Sequence, residues 1–341
     1  MNPFNNEKYK TLQKKAIYDR IKNYHKLYIE VGGKLFDDNH AARVLPGFDA
    51  NVKMQIFKEI KDDLEVIFCI NARDIITKKV RGDNNLTYAD EVLRLTDCMK
   101  ESELSVVGIM INFYEAVPVV LEFEEKCKQK GIKTYHSFFI EDYPNDISKI
   151  VSAEGFGKND YIETHKKIVV VSAPGANSGK LETCLSQLYN DKVHGVISGY
   201  AKYETFPAWN LPLNHLVNIA YEMATADLCD KNIIDPFYKA ACGKEAVNYN
   251  RDVESFPILS NILEQIYGKK VYNSPTDMGI NNVGNAIEDD FLVQKASYEE
   301  IERRLAKAEK QHSEHTCSDR TLARSKELYE KATRIFNNLK K

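Results

Sequence analysis

Short apolar runs alternate with amphipathic stretches along the chain, and that alternation sets the predicted elements. Residues 7–26 form a charged segment with Leu12, Ile17, Ile21 and Tyr24 near helical spacing. Residues 27–31 follow as a first strand, ending in Gly32-Gly33-Lys34. The next segment, LFDDNHAARVLPGFD, is polar, mixed in charge and stopped by Pro46-Gly47, as expected of a loop. The pattern then predicts helix over 50–61, strand over 65–70, helix over 87–101, strand over 106–111, helix over 116–130 and strand over 133–138. Residues 141–165 are loop-rich and join either two halves of one sheet or two domains. After them come a strand over 168–171, a helix carrying Leu181, Leu185 and Leu188, and a strand over 195–203 that runs into Glu204. Helices are predicted over 215–229, 235–247 and 253–267, with a short strand over 270–273. Beyond about residue 296 the composition shifts to Glu, Lys, Arg and Ala, which reads as a helical hairpin broken near 315–318.

Strand–helix alternation of this kind builds a parallel sheet. The expected fold is α/β, a Rossmann-like or P-loop-like, mostly parallel sheet flanked by helices, with a C-terminal helical hairpin. The expected organisation is an N-terminal α/β domain over 1–150, a P-loop-like α/β domain over 151–295 and charged helices over 296–341.

The chemistry centres on residues 166–191, KKIVVVSAPGANSGKLETCLSQLYND. A β-branched strand runs into a small, glycine-bearing loop and then a helix. Such a loop gathers backbone N–H groups at the positive end of the helix dipole, and Gly179-Lys180 adds an ammonium. This is the chemistry of a phosphate cradle. The match to G-x-x-x-x-G-K-[ST] is imperfect, because Pro174 stands at the first glycine and Leu181 at the Mg²⁺-binding hydroxyl. Thr183 lies about 200° further around the helix and does not replace that hydroxyl. No strand after the loop ends in a clear acidic residue for Mg²⁺; Asp277 closes only a short, weak strand. A glycine-rich turn with a surface lysine is the plainer alternative.

Ligands of open parallel sheets bind beyond the carboxyl ends of the strands. Here those ends carry Lys34, Asn71, Arg73, Asp74, Asn112, the loop at 175–180, Glu204, Thr276 and Asp277. His40 and Arg43, beside Asp37 and Asp38, suit either a substrate phosphate and proton transfer or a surface salt-bridged turn. Arg251, among Asn248, Asn250 and Asp252, suits either an anion clamp or a helix start.

Charge and composition narrow the classes. The 47 basic and 50 acidic residues give a formal net charge of -3, so nucleic acid and anionic membrane are not expected partners. No apolar run is long enough for a transmembrane helix, and the first residues lack the core of a signal peptide. Seven scattered cysteines without a CxxC pair read as reduced thiols in a cytoplasm. No metal site is expected; His312, His315 and Cys317 have metal-like spacing but lie in a charged helical region.

Six blocks taken in order, GGKLFDDNHAARVLPGFD, IFCINARDI, VVVSAPGANSGKLETCLSQLY, GYAKYETFPAWNLPLNH, AVNYNRDVE and SPTDMGIN, resemble one bacterial family, domain of unknown function 1846. The resemblance runs from about residue 7 to about 285. It implies an α/β fold and a glycine-rich loop with a GK pair, matched here by Gly175, Ser178, Gly179 and Lys180. It implies no activity; an ATP-dependent peptidase label on some members finds no support in these residues. Members continue into a further C-terminal domain, so a chain that turns helical and stops at Lys341 reads as a shortened member or a fragment.

The function expected from these residues is binding of a nucleotide or other small phosphorylated ligand, ATP or GTP with Mg²⁺ among the candidates, with phosphoryl transfer or hydrolysis as the chemistry. Lys180 would neutralise phosphate, the amides of Gly175, Asn177, Ser178, Gly179, Lys180 and Leu181 would hold its oxygens, and Ser178 would add a donor. A second substrate would lie toward Gly33, Lys34, His40, Arg43 and Arg73, with His40 and Arg43 as catalytic candidates beside Lys180. The competing reading is a non-catalytic ligand sensor or scaffold. A homo-oligomer is compatible with either.

Overall fold

The computed structural model describes residues 2–82, 84–203, 207–228 and 230–340. Glu204 and Cys229 lie outside the described residues. The strands are β1 (Lys26–Val31), β2 (Leu64–Asn71), β3 (Ser105–Asn112), β4 (Thr134–His136), β5 (Ile168–Ser172), β6 (Ser198–Tyr203), β7 (Asn232–Ile234), β8 (Val247–Tyr249) and β9 (Gly279–Ile280). The helices up to β5 are α1 (Asn6–Ile21), α2 (Asn39–Val44), α3 (Val52–Glu59), α4 (Ala72–Ile76), α5 (Tyr88–Glu101), α6 (Pro118–Gln129) and α7 (Ile147–Ile150). After it come α8 (Lys180–Val193), α9 (Leu216–Ala224), α10 (Pro236–Cys242), α11 (Asn250–Tyr267), α12 (Pro275–Met278), α13 (Asp290–Ser313) and α14 (Asp319–Leu339).

Seven strands form one sheet in the order β4-β3-β2-β5-β1-β6-β9, and every pair in it is parallel. Strand β5 sits between β2 and β1, so strands from both sides of residues 141–165 interleave in a single sheet. Alternate side chains divide between two cores, as the period of two requires. Leu27, Ile29, Val66, Phe68, Ile168 and Val170 face the core built with α1, α3, α5, α6 and α9. Tyr28, Ile67, Cys69, Val169 and Val171 face the core built with α7, α8 and α11. Both faces are covered, which is why these strands read as continuous apolar runs.

The chain leaves β1 for α3 on the first face and leaves β5 for α8 on the second. Neighbouring strands therefore send their connections to opposite faces at the β1–β5 boundary. A crevice opens beyond their carboxyl ends at such a switch point.

Several expectations change. The segment after Lys34 is not all loop: Asp38 caps α2 by accepting from the Ala41 N–H at 3.2 Å. No strand forms over 270–273. Tyr272 is instead buried there, with its hydroxyl on the carbonyl of Tyr200, and the edge position beside β6 goes to β9. Asp277 belongs to α12, where Ser274 caps and Pro275 starts the turn, rather than to a strand end. The helix expected over 235–247 stops at Gly243, whose φ of +72° suits a left-handed cap, and β8 then pairs antiparallel with β7. The charged hairpin is present as α13 and α14, but α13 begins at Asp290, earlier than its charge pattern indicated.

Candidate functional site

Beyond the carboxyl ends of β1, β2, β5 and β6 lies a cavity of about 1510 Å³. Eleven Lys or Arg and six Asp or Glu line it among the described residues, although the whole chain is slightly acidic. The excess of positive charge is thus local, and a cleft concentrates such a field.

The turn between β5 and α8 forms one wall. Asn177 (φ +61°) and Gly179 (φ +90°) both take left-handed conformations, which turns successive amides to one side. Gly179 starts α8 with no side-chain cap, so the first-turn N–H groups lack a capping partner. Among the described residues, the amides of Ala176, Asn177, Gly179, Lys180 and Leu181 have no side-chain acceptor and no backbone acceptor outside the helix itself. Lys180 likewise has no hydrogen bond or ion pair among the described residues, whereas the lining cations Arg43, Lys53, Arg94, Arg303 and Arg304 each contact a carboxylate.

Contacts from three directions hold this turn. Arg81 donates to the carbonyl of Pro174. Asn112, at the end of β3, donates to the carbonyl of Ser178 at 2.9 Å. A Cβ on Gly175 would stand 2.3 Å from the Tyr88 hydroxyl, so only glycine fits against that ring. The Ser178 hydroxyl donates back to the carbonyl of Gly175 at 3.1 Å, and the residue is buried. It therefore braces the turn and does not present the ligand donor expected of it. Thr183 is also buried, with its hydroxyl 3.2 Å from the Asn112 side chain.

Gly33, Lys34, His40 and Arg43 line the same cavity as this turn, but Arg73 does not; it is exposed on α4. Lys53 is buried and donates to the Lys34 carbonyl at 2.7 Å and to Asp38 at 2.8 Å, fixing the loop after β1. His40 and Arg43 are not paired with Asp37 and Asp38. Their partner is Glu300 of α13, at 2.8 Å from His40 Nδ1 and 2.8 Å from Arg43 Nε. Arg303 and Arg304 of the same helix also bind Glu300. Burial opposes charge on Glu300, but the bonds from Arg303, His40 and Arg43 outweigh it and hold the carboxyl below the usual range. Burial pushes His40 down to about 4, so the ring is neutral at neutral pH; the ionised Glu300 can only accept, which assigns the ring proton to Nδ1, and Arg304 Nε lies 3.2 Å from that same nitrogen. In the polar cluster around β8, Lys202 pairs with Asp252 at 2.8 Å and Arg251 with Asp230 at 3.4 Å.

Two groups of this cavity escaped the sequence reading. Glu182 lies in the first turn of α8, where an acid ordinarily complements the dipole and signals nothing. Burial raises its carboxyl to about 7, against the bonds it accepts from Ser137 and Asn159. The other group is Glu300, Arg303 and Arg304, whose i, i+3, i+4 spacing marks one helix face but is common in charged helices.

The sequence matches the family described as "Domain of unknown function DUF1846, N-terminal" over residues 2–333. The match continues past residue 285 through α13 and into α14, which corrects the expectation that the charged C-terminal stretch departs from the family. A UPF0371 protein of Fusobacterium nucleatum is 54% identical over 305 residues, covering 89% of this chain and 60% of that protein. UPF0371 proteins of two Clostridium botulinum strains, Alaska E43 and Langeland, are 50% identical over 328 residues, covering 96% of this chain and 65% of theirs. The chain thus spans 60% to 65% of the length of these relatives. The cavity, with its α13 wall, lies within the matched region, and the chain belongs to this DUF1846 family of uncharacterised proteins.

Proposed function

We propose that this chain binds a small phosphorylated molecule, nucleotide or other, with one phosphate on the amides of residues 176–181 and the Lys180 ammonium. The observation that supports it is the conjunction of amides without acceptors and a lysine without a carboxylate, among the described residues, in a cavity of net positive lining. Glu182, buried and titrating near neutral pH, would be the acid or base if phosphoryl transfer or hydrolysis follows binding. His40, neutral and held by Glu300 with its Nε2 buried, would position the opposite wall, and Arg43 would contribute charge. A reducing cytoplasm fits this reading and the free thiols of the described cysteines.

Calorimetric titration with ATP, GTP and ribose 5-phosphate, each with and without Mg²⁺, tests it. At least one should bind, and Lys180→Ala should weaken it by about tenfold or more, the value of a charge-assisted bond. Unchanged affinity in that variant sinks the reading. One observation favours the non-catalytic alternative: Leu181 supplies no hydroxyl and that of Thr183 is engaged by Asn112. A sensor would bind without metal and show no turnover.

A further inference from the structure

We propose that the wall formed by α2 and α13 is a second oxyanion subsite, binding a carboxylate or phosphate group on the terminal guanidinium nitrogens of Arg43 and Arg304. The proposal needs no ligand at Lys180. It starts from the bonds to Glu300. Oxygen Oε1 accepts from His40 Nδ1 at 2.8 Å, Arg303 Nη2 at 2.7 Å and Arg304 Nε at 3.0 Å. Oxygen Oε2 accepts from Arg43 Nε at 2.8 Å and Arg303 Nε at 2.6 Å.

A carboxylate offers about four lone-pair positions. Five donors exhaust them. Glu300 therefore fixes Arg43 and Arg304 through their Nε atoms and has no capacity left for their Nη groups. Those Nη groups make no hydrogen bond to any described residue, and both side chains line the cavity. Three guanidinium groups stand against one carboxylate and a neutral imidazole, so the cluster keeps an excess of two positive charges. Guanidinium forks fit carboxylate and phosphate oxygens in pairs, and forks already held by their Nε bonds lose little freedom on binding. A cluster built only to neutralise Glu300 would not need three arginines.

Inorganic phosphate and malonate, titrated calorimetrically into the full chain, separate the two anion sources and the two walls. The wild-type chain should bind one of these anions at a site that survives Lys180→Ala. Arg304→Gln and Arg43→Gln should each weaken that site by tenfold or more. Arg303, spent on Glu300 through two bonds, provides the control: Arg303→Gln should weaken anion binding less than either. Loss confined to malonate assigns a carboxylate, loss of phosphate a phosphoryl group. Arg43 is half exposed and keeps the test open should Arg304→Gln fail to fold, as a melting curve would show. Both anions binding Arg43→Gln as tightly as wild type overturns the proposal. Failure of Lys180→Ala to alter any binding overturns only the loop reading.

Discussion

Asn112 reaches past β2 to hold Ser178: its side-chain amide, at the end of β3, donates to the Ser178 carbonyl in the turn after β5 at 2.9 Å. The same side chain contacts the Thr183 hydroxyl at 3.2 Å and accepts from Ser137 at 2.8 Å. One buried amide thus sets the turn, the first turn of α8 and the loop after β4. Asn112→Ala should cost about 2–3 kcal/mol, since it strands several buried polar groups. Urea unfolding measures that cost. Anion binding at the turn should fall as well, and an unweakened ligand in a destabilised chain would separate the clasp from the site.

Glycines of similar backbone conformation should respond differently to alanine. Gly131 and Gly179 both have positive φ, but a Cβ at Gly131 meets nothing within 4 Å, whereas at Gly179 it lies 2.4 Å from Asn112 Nδ2. Gly131→Ala should cost about 1 kcal/mol, the strain alone. Gly179→Ala should cost distinctly more and abolish phosphate binding, because either Asn112 or the turn must move. Equal melting temperatures for the two variants would show that the turn yields freely.

Glu182 and His40 give opposite pH dependences. The carboxyl of Glu182 is raised by burial from an ordinary 4.5 to about 7. Between those values the folded chain keeps a proton that the unfolded chain has released, so its contribution to stability falls as pH rises. The imidazole of His40 is lowered by burial from 6.5 to about 4. Between those values the unfolded chain takes up a proton that the folded chain refuses, so stability falls as pH drops. The two slopes oppose each other from about pH 4.5 to 6.5. Relative to wild type, Glu182→Gln should gain up to about 3 kcal/mol between pH 5 and pH 8. His40→Gln should lose the acid-side fall. Denaturant midpoints across that range measure both, and parallel profiles for all three chains would contradict the assigned environments.

Much of this architecture was legible because a two-sided parallel sheet writes itself as apolar runs. Strands β1, β2, β3 and β5 lie close to where their β-branched residues put them, and β6 begins just after the Val196-Ile197 pair that marked it. The strand order was not legible: nothing in the run IVVV says that it inserts between β1 and β2. Short elements failed where a single contact decides. Tyr272 goes to the core by one hydroxyl bond, and Gly243 ends a helix that its neighbours would continue. At the candidate site, local signals pointed to Gly175, Gly179 and Lys180, because loop, glycine and lysine are adjacent in sequence, and the three line one cavity. The environment of Glu182 depends on Ser137 and Asn159, and that of His40 on Glu300, 260 residues away. Such pairings leave no mark in either segment alone. Ser178 misled for the same reason: its hydroxyl serves the turn that presents it.

The turn makes a further prediction about metal. A Mg²⁺-dependent phosphate loop places a hydroxyl at the residue after its lysine; here that residue is Leu181. The nearby hydroxyl of Thr183 is buried and engaged by the Asn112 side chain, at 3.2 Å from its amide. Phosphate held here must therefore be neutralised by amide dipoles, Lys180 and the surrounding cations rather than by an ion fixed on α8. A phosphorylated ligand should accordingly bind with the same affinity, within about twofold, in EDTA and in millimolar Mg²⁺, because a difference of ~0.4 kcal/mol is all that twofold allows. Leu181→Ser should not create a requirement for metal, since Glu30, near the end of the neighbouring strand β1, is already held by the Tyr200 hydroxyl at 2.6 Å. A tenfold gain in affinity on adding Mg²⁺ to the wild-type chain would mean that the ion finds oxygens elsewhere in the cavity, with Glu30 and Asp252 on its wall the first carboxylates to replace.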